Sequence, residues 1–105
     1  RVSTLQDPVG VKEKAPTPTT YQLRQNYPNP FNPTTMIEYG IPKESFVTLK
    51  VYNMLGQEMV SLVNETQYAG TYTVSFDASR LPTGMYFYKI IAGDFVDMKK
   101  MMFVK

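Results

Sequence analysis

The chain contains no cysteine among its 105 residues. Disulfide bridges, zinc–thiolate and iron–sulfur centres and thiol nucleophiles are thereby excluded. It contains no histidine. That removes Ser–His–Asp triads, imidazole-ligated metals and the side chain that most readily moves a proton near neutrality. Charge of one sign is scarce: 11 Lys and Arg face 9 Asp and Glu, a net +2. A nucleic-acid surface needs a more basic balance, so no nucleic-acid partner is expected. Long apolar runs are missing too. The longest, such as Met85-Tyr86-Phe87-Tyr88 and Met101-Met102-Phe103-Val104, hold four residues, whereas a spanning helix needs about 20. No N-terminal signal peptide is visible. The chain opens on Arg1 rather than Met, which reads as a piece of a longer protein. What is left is one domain of the binding, structural or addressing kind, long enough to bury roughly 60–70% of its unfolded surface.

Proline organises what is present. Pro8, Pro16, Pro18, Pro28, Pro30 and Pro33 all precede residue 34. Residues 11–20 read VKEKAPTPTT, too polar to offset the entropy of ordering, and their prolines favour extended chain. Residues 1–20 are therefore read as a linker to an upstream domain, and residues 21–105 as the folded unit. Past Tyr21 the composition turns aromatic and β-branched, with period-two alternation. Ile37, Tyr39 and Ile41 share one face, Val47, Leu49 and Val51 another, and Tyr72, Val74 and Phe76 a third. Residues 85–92 are apolar on both faces, as in a central strand. Gly93-Asp94 reads as a Gly-first hairpin turn before a last strand from about Phe95 to Val104. Leu55, Met59, Leu62 and Val63 follow helical spacing, yet every neighbour is a short strand, so residues 55–63 are assigned to a strand. The sum is an all-β, immunoglobulin-like antiparallel β-sandwich of about seven strands.

Few residues suggest chemistry. The nine acids fall in turns, at strand ends or on polar faces, with no paired carboxylates for acid–base work. Asp94-Phe95-Val96-Asp97 is too sparse for a calcium loop, and six singly scattered glycines form no phosphate loop. No catalytic residue, metal site or cofactor is expected. Asn64-Glu65-Thr66 fits the glycosylation tripeptide. Among 14 aromatics, Tyr27, Phe31, Tyr39, Tyr52, Tyr68 and Tyr88 are candidates for a sugar-stacking platform, against the alternative of core and cross-strand packing. The least ordinary stretch is QNYPNPFNPTT at residues 25–35. X-Pro steps and turn-forming asparagines make it a stiff corner, with Tyr27 and Phe31 available as apolar anchors. Such a corner can plug one end of the sandwich or be read by a partner.

Four segments together carry a family resemblance. LRQNYPNPFNPTTMIEYGIP (Leu23 to Pro42) resembles the opening of the C-terminal sorting domain, type A, of type IX secretion system cargo. VYNMLGQEM (Val51 to Met59) resembles that domain's middle motif. LPTGMYFYKI (Leu81 to Ile90) resembles its Gly-x-Tyr strand, and DMKKMMFVK (Asp97 to Lys105) its basic terminal strand. The likeness implies an immunoglobulin-like sandwich at the C-terminus of a secreted cargo. It implies passage through the periplasm to an outer-membrane translocon. It further implies removal by a sortase-like peptidase, within residues 1–24, and a final place at the cell surface or in the medium. Carried over residue by residue, Pro28, Asn29, Pro30 and Phe31 match the first motif. Gly84 and Tyr86 match the Gly-x-Tyr motif, and Lys99, Lys100, Val104 and Lys105 the terminal one. The competing functions are a carbohydrate-binding sandwich appended to a glycoside hydrolase and a structural spacer.

Overall fold

Alternation of apolar and polar residues builds two sheets that close on one core. The computed structural model describes residues 17–105. Its strands are β1 (Gln22–Leu23), β2 (Thr34–Ile41), β3 (Ser45–Tyr52), β4 (Glu58–Gln67), β5 (Gly70–Asp77), β6 (Gly84–Ala92) and β7 (Phe95–Phe103). They form a three-stranded sheet ordered β1-β2-β5 and a four-stranded sheet ordered β4-β3-β6-β7, antiparallel throughout. The all-β sandwich is thus as the sequence reads. Among the described residues no helix is long and apolar enough to cross a membrane. The expected linker lies largely on residues 1–16, outside the described residues. Of the remainder, Pro18 rests on β2, where a Cβ at Gly40 would meet its Cγ at 2.9 Å.

The core comes from the inward face of each strand. Ile37, Tyr39 and Ile41 meet Val47, Leu49 and Val51, with Tyr88, Ile90 and Ala92 from β6 and Met101 and Phe103 from β7, all essentially inaccessible. Tyr72 and Val74 are only half-buried, and Phe76 is buried. The Tyr39 and Tyr72 rings stack at 5.5 Å between β2 and β5. The Tyr39 hydroxyl donates across the sandwich to Gln67 Oε1 on β4. The β6–β7 hairpin turns on two residues, Gly93 at φ +60° and Asp94, with Ala92 opposite Phe95. Glycine, lacking Cβ, adopts that φ at no steric cost.

β4 departs from expectation in its bounds. Residues 55–57 belong to the turn that follows β3 rather than to the strand assigned over 55–63, and pairing begins at Glu58. Register shifts between Leu49 and Lys50 and between Val51 and Tyr52 leave Leu62 and Met59 without a partner on β3. Each bulge moves the inward face by one residue. Val60 and Val63 therefore both point at the core, and a bulged strand acquires a spacing that mimics a helix turn. β7 ends at Phe103 rather than Val104. β6 is central, as expected, but its outward residues are not covered: Ile91 is 37% exposed.

Candidate functional site

The proline–asparagine corner is fastened to the sandwich by a buried asparagine. Asn26 is 2% exposed. Its backbone N–H donates to the Tyr88 hydroxyl at 2.8 Å, and that hydroxyl donates to the Arg24 carbonyl at 2.7 Å. The Asn26 side-chain amide donates to the Pro28 carbonyl and to Thr35 Oγ1, and the Thr35 hydroxyl in turn donates to the Pro28 carbonyl. Gln25 Nε2 donates both to Asn26 Oδ1 and to the Lys100 carbonyl, each at 2.8 Å. Buried polar groups of this kind are stable only when paired, and a paired set fixes one geometry. The Tyr27–Pro28, Asn29–Pro30 and Asn32–Pro33 peptide bonds are cis.

The same corner closes the edge of β7. The Phe31 N–H donates to the Met102 carbonyl and the Val104 N–H donates to the Phe31 carbonyl, both at 3.0 Å. Asn29 Oδ1 accepts from the Met102 N–H at 3.0 Å. Phe31 thus acts as a one-residue strand beside Phe103, in parallel sense. The Phe31 ring stacks on Phe103 at 5.3 Å and tilts against Phe76 at 6.0 Å. An unpaired edge invites strand addition, and here it is covered from Lys100 onward.

The Gly-x-Tyr pair lies on the adjoining strand. Gly84 stands opposite Phe103, and Tyr86 opposite Met101. The Tyr86 hydroxyl donates to the Pro82 carbonyl at 2.6 Å, which pins the approach to β6 as a tyrosine corner does in immunoglobulin-like sandwiches. Burial raises the Tyr86 phenol above its ordinary pKa. Burial also pushes Tyr88 up to about 12, with the Asn26 hydrogen bond pulling the other way. Tyr39 is raised to about 12 by burial, against the Gln67 hydrogen bond.

The ten residues singled out from the sequence therefore fall into three groups. Phe31 and Tyr86 are buried and set the shape of this end. Pro28, Asn29, Pro30, Lys100, Val104 and Lys105 are exposed along its rim, and Gly84 and Lys99 are half-buried. Lys99 points into a polar groove of about 560 Å³ between β1 and β7, shared with Arg24, Gln25 and Asp97. One expected anchor is displaced: Tyr27 is 80% exposed, because it pairs with Met36 at the sheet margin while Phe31 takes the inward position. Asn26, Thr35 and Tyr88 were not singled out as parts of this site. Their sequence signal is slight, a buried Asn and Thr flanking the prolines and a Tyr two positions past the Gly-x-Tyr pair.

The six candidate platform aromatics do not share a surface. Phe31, Tyr39 and Tyr88 lie in the core. Tyr27 sits beside Met36 and Tyr68 follows β4 near Gly70, so the two exposed rings occupy opposite ends of the three-stranded sheet. Among the described residues no three acids lie together as metal ligands would.

Fold and site define a class: an antiparallel β-sandwich sealed at one end by a proline-rich corner bonded to its last strand. The family model described as the secretion system C-terminal sorting domain matches residues 25–105. The chain belongs to that family, the sorting domains of the type IX secretion system. No curated protein matches it. The family implies export of the attached protein to the cell surface or the medium, and dealings with the type IX machinery.

Proposed function

We propose that the chain is a non-catalytic address tag. It directs an upstream cargo domain of the same polypeptide from the periplasm through the outer membrane by the type IX translocon. A sortase-like peptidase then cuts within residues 1–24, and the cargo is attached to the cell surface or released. In this reading residues 1–20 serve as the linker between cargo and tag. The exposed rim of Pro28, Asn29, Pro30, Lys100, Val104 and Lys105 meets the machinery, over a frame held by Phe31, Gly84 and Tyr86, with Lys99 at the groove beside it.

One observation carries this reading. The first and last motifs, far apart in the chain, are joined through Phe31 and Phe103 into one surface. A receptor therefore meets both only when the sandwich is folded. A tag that works between two membranes also gains from holding its shape without disulfides, as a chain with no cysteine must. To test the proposal, the 105-residue chain is fused behind a periplasmic reporter in a host with the type IX pathway and in a translocon-deficient sibling. Reporter reaching the surface or medium in the first strain alone supports it; equal distribution in both contradicts it.

A further inference from the structure

The two outer faces of the sandwich differ in a way that the address function does not by itself require. The face of β1, β2 and β5 is polar, with Gln22, Glu38, Thr71, Thr73 and Ser75 pointing outward, and Met36 as its apolar exception. The face of β3, β6 and β7 instead sets large apolar side chains among lysines. Register sets Thr48, Ile91 and Val96 in one row, Lys50, Lys89 and Met98 in the next, and Tyr52, Phe87 and Lys100 in a third. Val96 is 57% and Met98 53% exposed, and Phe46 adds another exposed ring at the end of β3. An antiparallel sheet turned to water normally alternates apolar-in and polar-out, so the outward apolar side chains Ile91, Val96 and Met98, neighbours on β6 and β7, mark an interaction surface.

The β3–β4 turn extends this face and is held rigidly. Asn53 Oδ1 accepts from the Leu55 and Gln57 N–H groups, the Asn53 amide donates to Gln57 Oε1, and the Gly56 N–H donates to the Asn53 carbonyl. This network presents Met54 and Leu55 to solvent, the latter 83% exposed. Gly56, at φ +82°, takes the left-handed position the turn requires. Between the turn and the sheet lies a recess of about 300 Å³, lined by Tyr52, Met54, Phe87, Lys89 and Met98. A preformed recess beside adaptable methionines suits one inserted apolar side chain, the usual anchor of a protein interface.

Charge decides the occupant. Lys50, Lys89 and Lys100 rise from this face, whereas Glu58, 3.3 Å from Lys50, is the acid beside them. The Lys89 ammonium lies over the Tyr52 ring at 5.9 Å, at the mouth of the recess. A second copy docking about a two-fold axis would set lysines against lysines. An anionic bilayer recruits clusters of about four to eight cations and needs no fitted recess. We propose that this face docks a protein segment pairing an apolar anchor, seated in the recess, with carboxylates for Lys89 and Lys100. The surface deepens the address reading and rests on it only for identifying the partner as part of the export machinery.

Two measurements separate the claims. The isotope-labelled chain is titrated with a synthetic peptide alternating Glu with Phe and Leu, with its Lys-for-Glu counterpart, and with phosphatidylglycerol vesicles. The expected result is amide shifts at Leu55, Lys89 and Met98 with the acidic peptide, and at least about fivefold weaker binding by the Lys counterpart and by folded Lys89→Glu. Equal affinity for both peptides, no shift at millimolar peptide, capture by vesicles through this face, or self-association through it would each overturn the proposal. In the export assay, Leu55→Ser/Met98→Ser should lower reporter export at least about tenfold while melting as the parent does, and Thr73→Ala/Ser75→Ala on the opposite face should not. Export by the first pair at parental level overturns the surface. Failure of the unaltered chain to export instead overturns the address reading and leaves the peptide titration to decide the surface.

Discussion

The Phe31 ring stacks on the Phe103 ring at 5.3 Å while the Phe31 backbone bonds Met102 and Val104 on either side of it. Side chain and main chain therefore tie the proline-rich corner to the terminal strand together. The corner does not float on the sandwich; it completes the sheet.

That pairing should appear as energetic coupling. Phe31→Leu and Phe103→Leu each preserve most of the buried volume but remove a ring. In a double-mutant cycle read by urea unfolding, we expect a coupling of about 0.5–1.5 kcal/mol. Strict additivity within error would mean the stack contributes nothing beyond its area. Full truncation, Phe31→Ala, should cost about 3–5 kcal/mol.

The two tyrosine hydroxyls at this end should rank unequally. Tyr88→Phe strands the buried Asn26 N–H and removes the donor to the Arg24 carbonyl, a cost of about 1–3 kcal/mol. Tyr86→Phe loses one bond to the Pro82 carbonyl, about 0.5–1.5 kcal/mol. Melting temperatures of the pair check the order, and a greater loss for Tyr86→Phe would contradict the network described for Asn26.

Alkali should unfold the domain in a defined window. Tyr39 and Tyr88 ionise near 10 when unfolded and are held up to about 12 in the fold. A raised folded pKa means their contribution is fully present below about pH 10 and lost as pH climbs toward 12. Stability should thus be flat from neutral to about pH 9.5, then fall together with delayed tyrosinate absorbance. Normal titration of all eight tyrosines near 10 without unfolding would show that neither phenol is protected.

Particular residues show where reading from sequence succeeds and where it stops. Val47, Leu49 and Val51 alternate cleanly with polar partners, so strand, face and burial are all legible in β3. Gly93-Asp94 is equally plain, because one φ requirement selects glycine. β4 is obscure because bulges at Met59 and Leu62 break the period on which the reading depends. Nothing local distinguishes Tyr27 from Phe31 in a corner rich in proline, and only the packing of Phe76 and Phe103 decides which ring turns inward. The Asn26–Tyr88 bond spans 62 positions and leaves no trace in local pattern. The ten candidate residues came from family likeness; the fold adds that two of them are buried beneath the rest.

The most direct test measures how much of a fused reporter reaches the cell surface or medium when only the exposed rim is altered. Val104→Ser/Lys105→Glu changes exposed rim side chains away from the docking face and should leave melting within a few degrees of the parent, since exposed substitutions rarely move stability by more than about 0.5 kcal/mol. We expect that folded variant to remain in the periplasm. Its delivery at the parental level would contradict the assignment of this rim as the address.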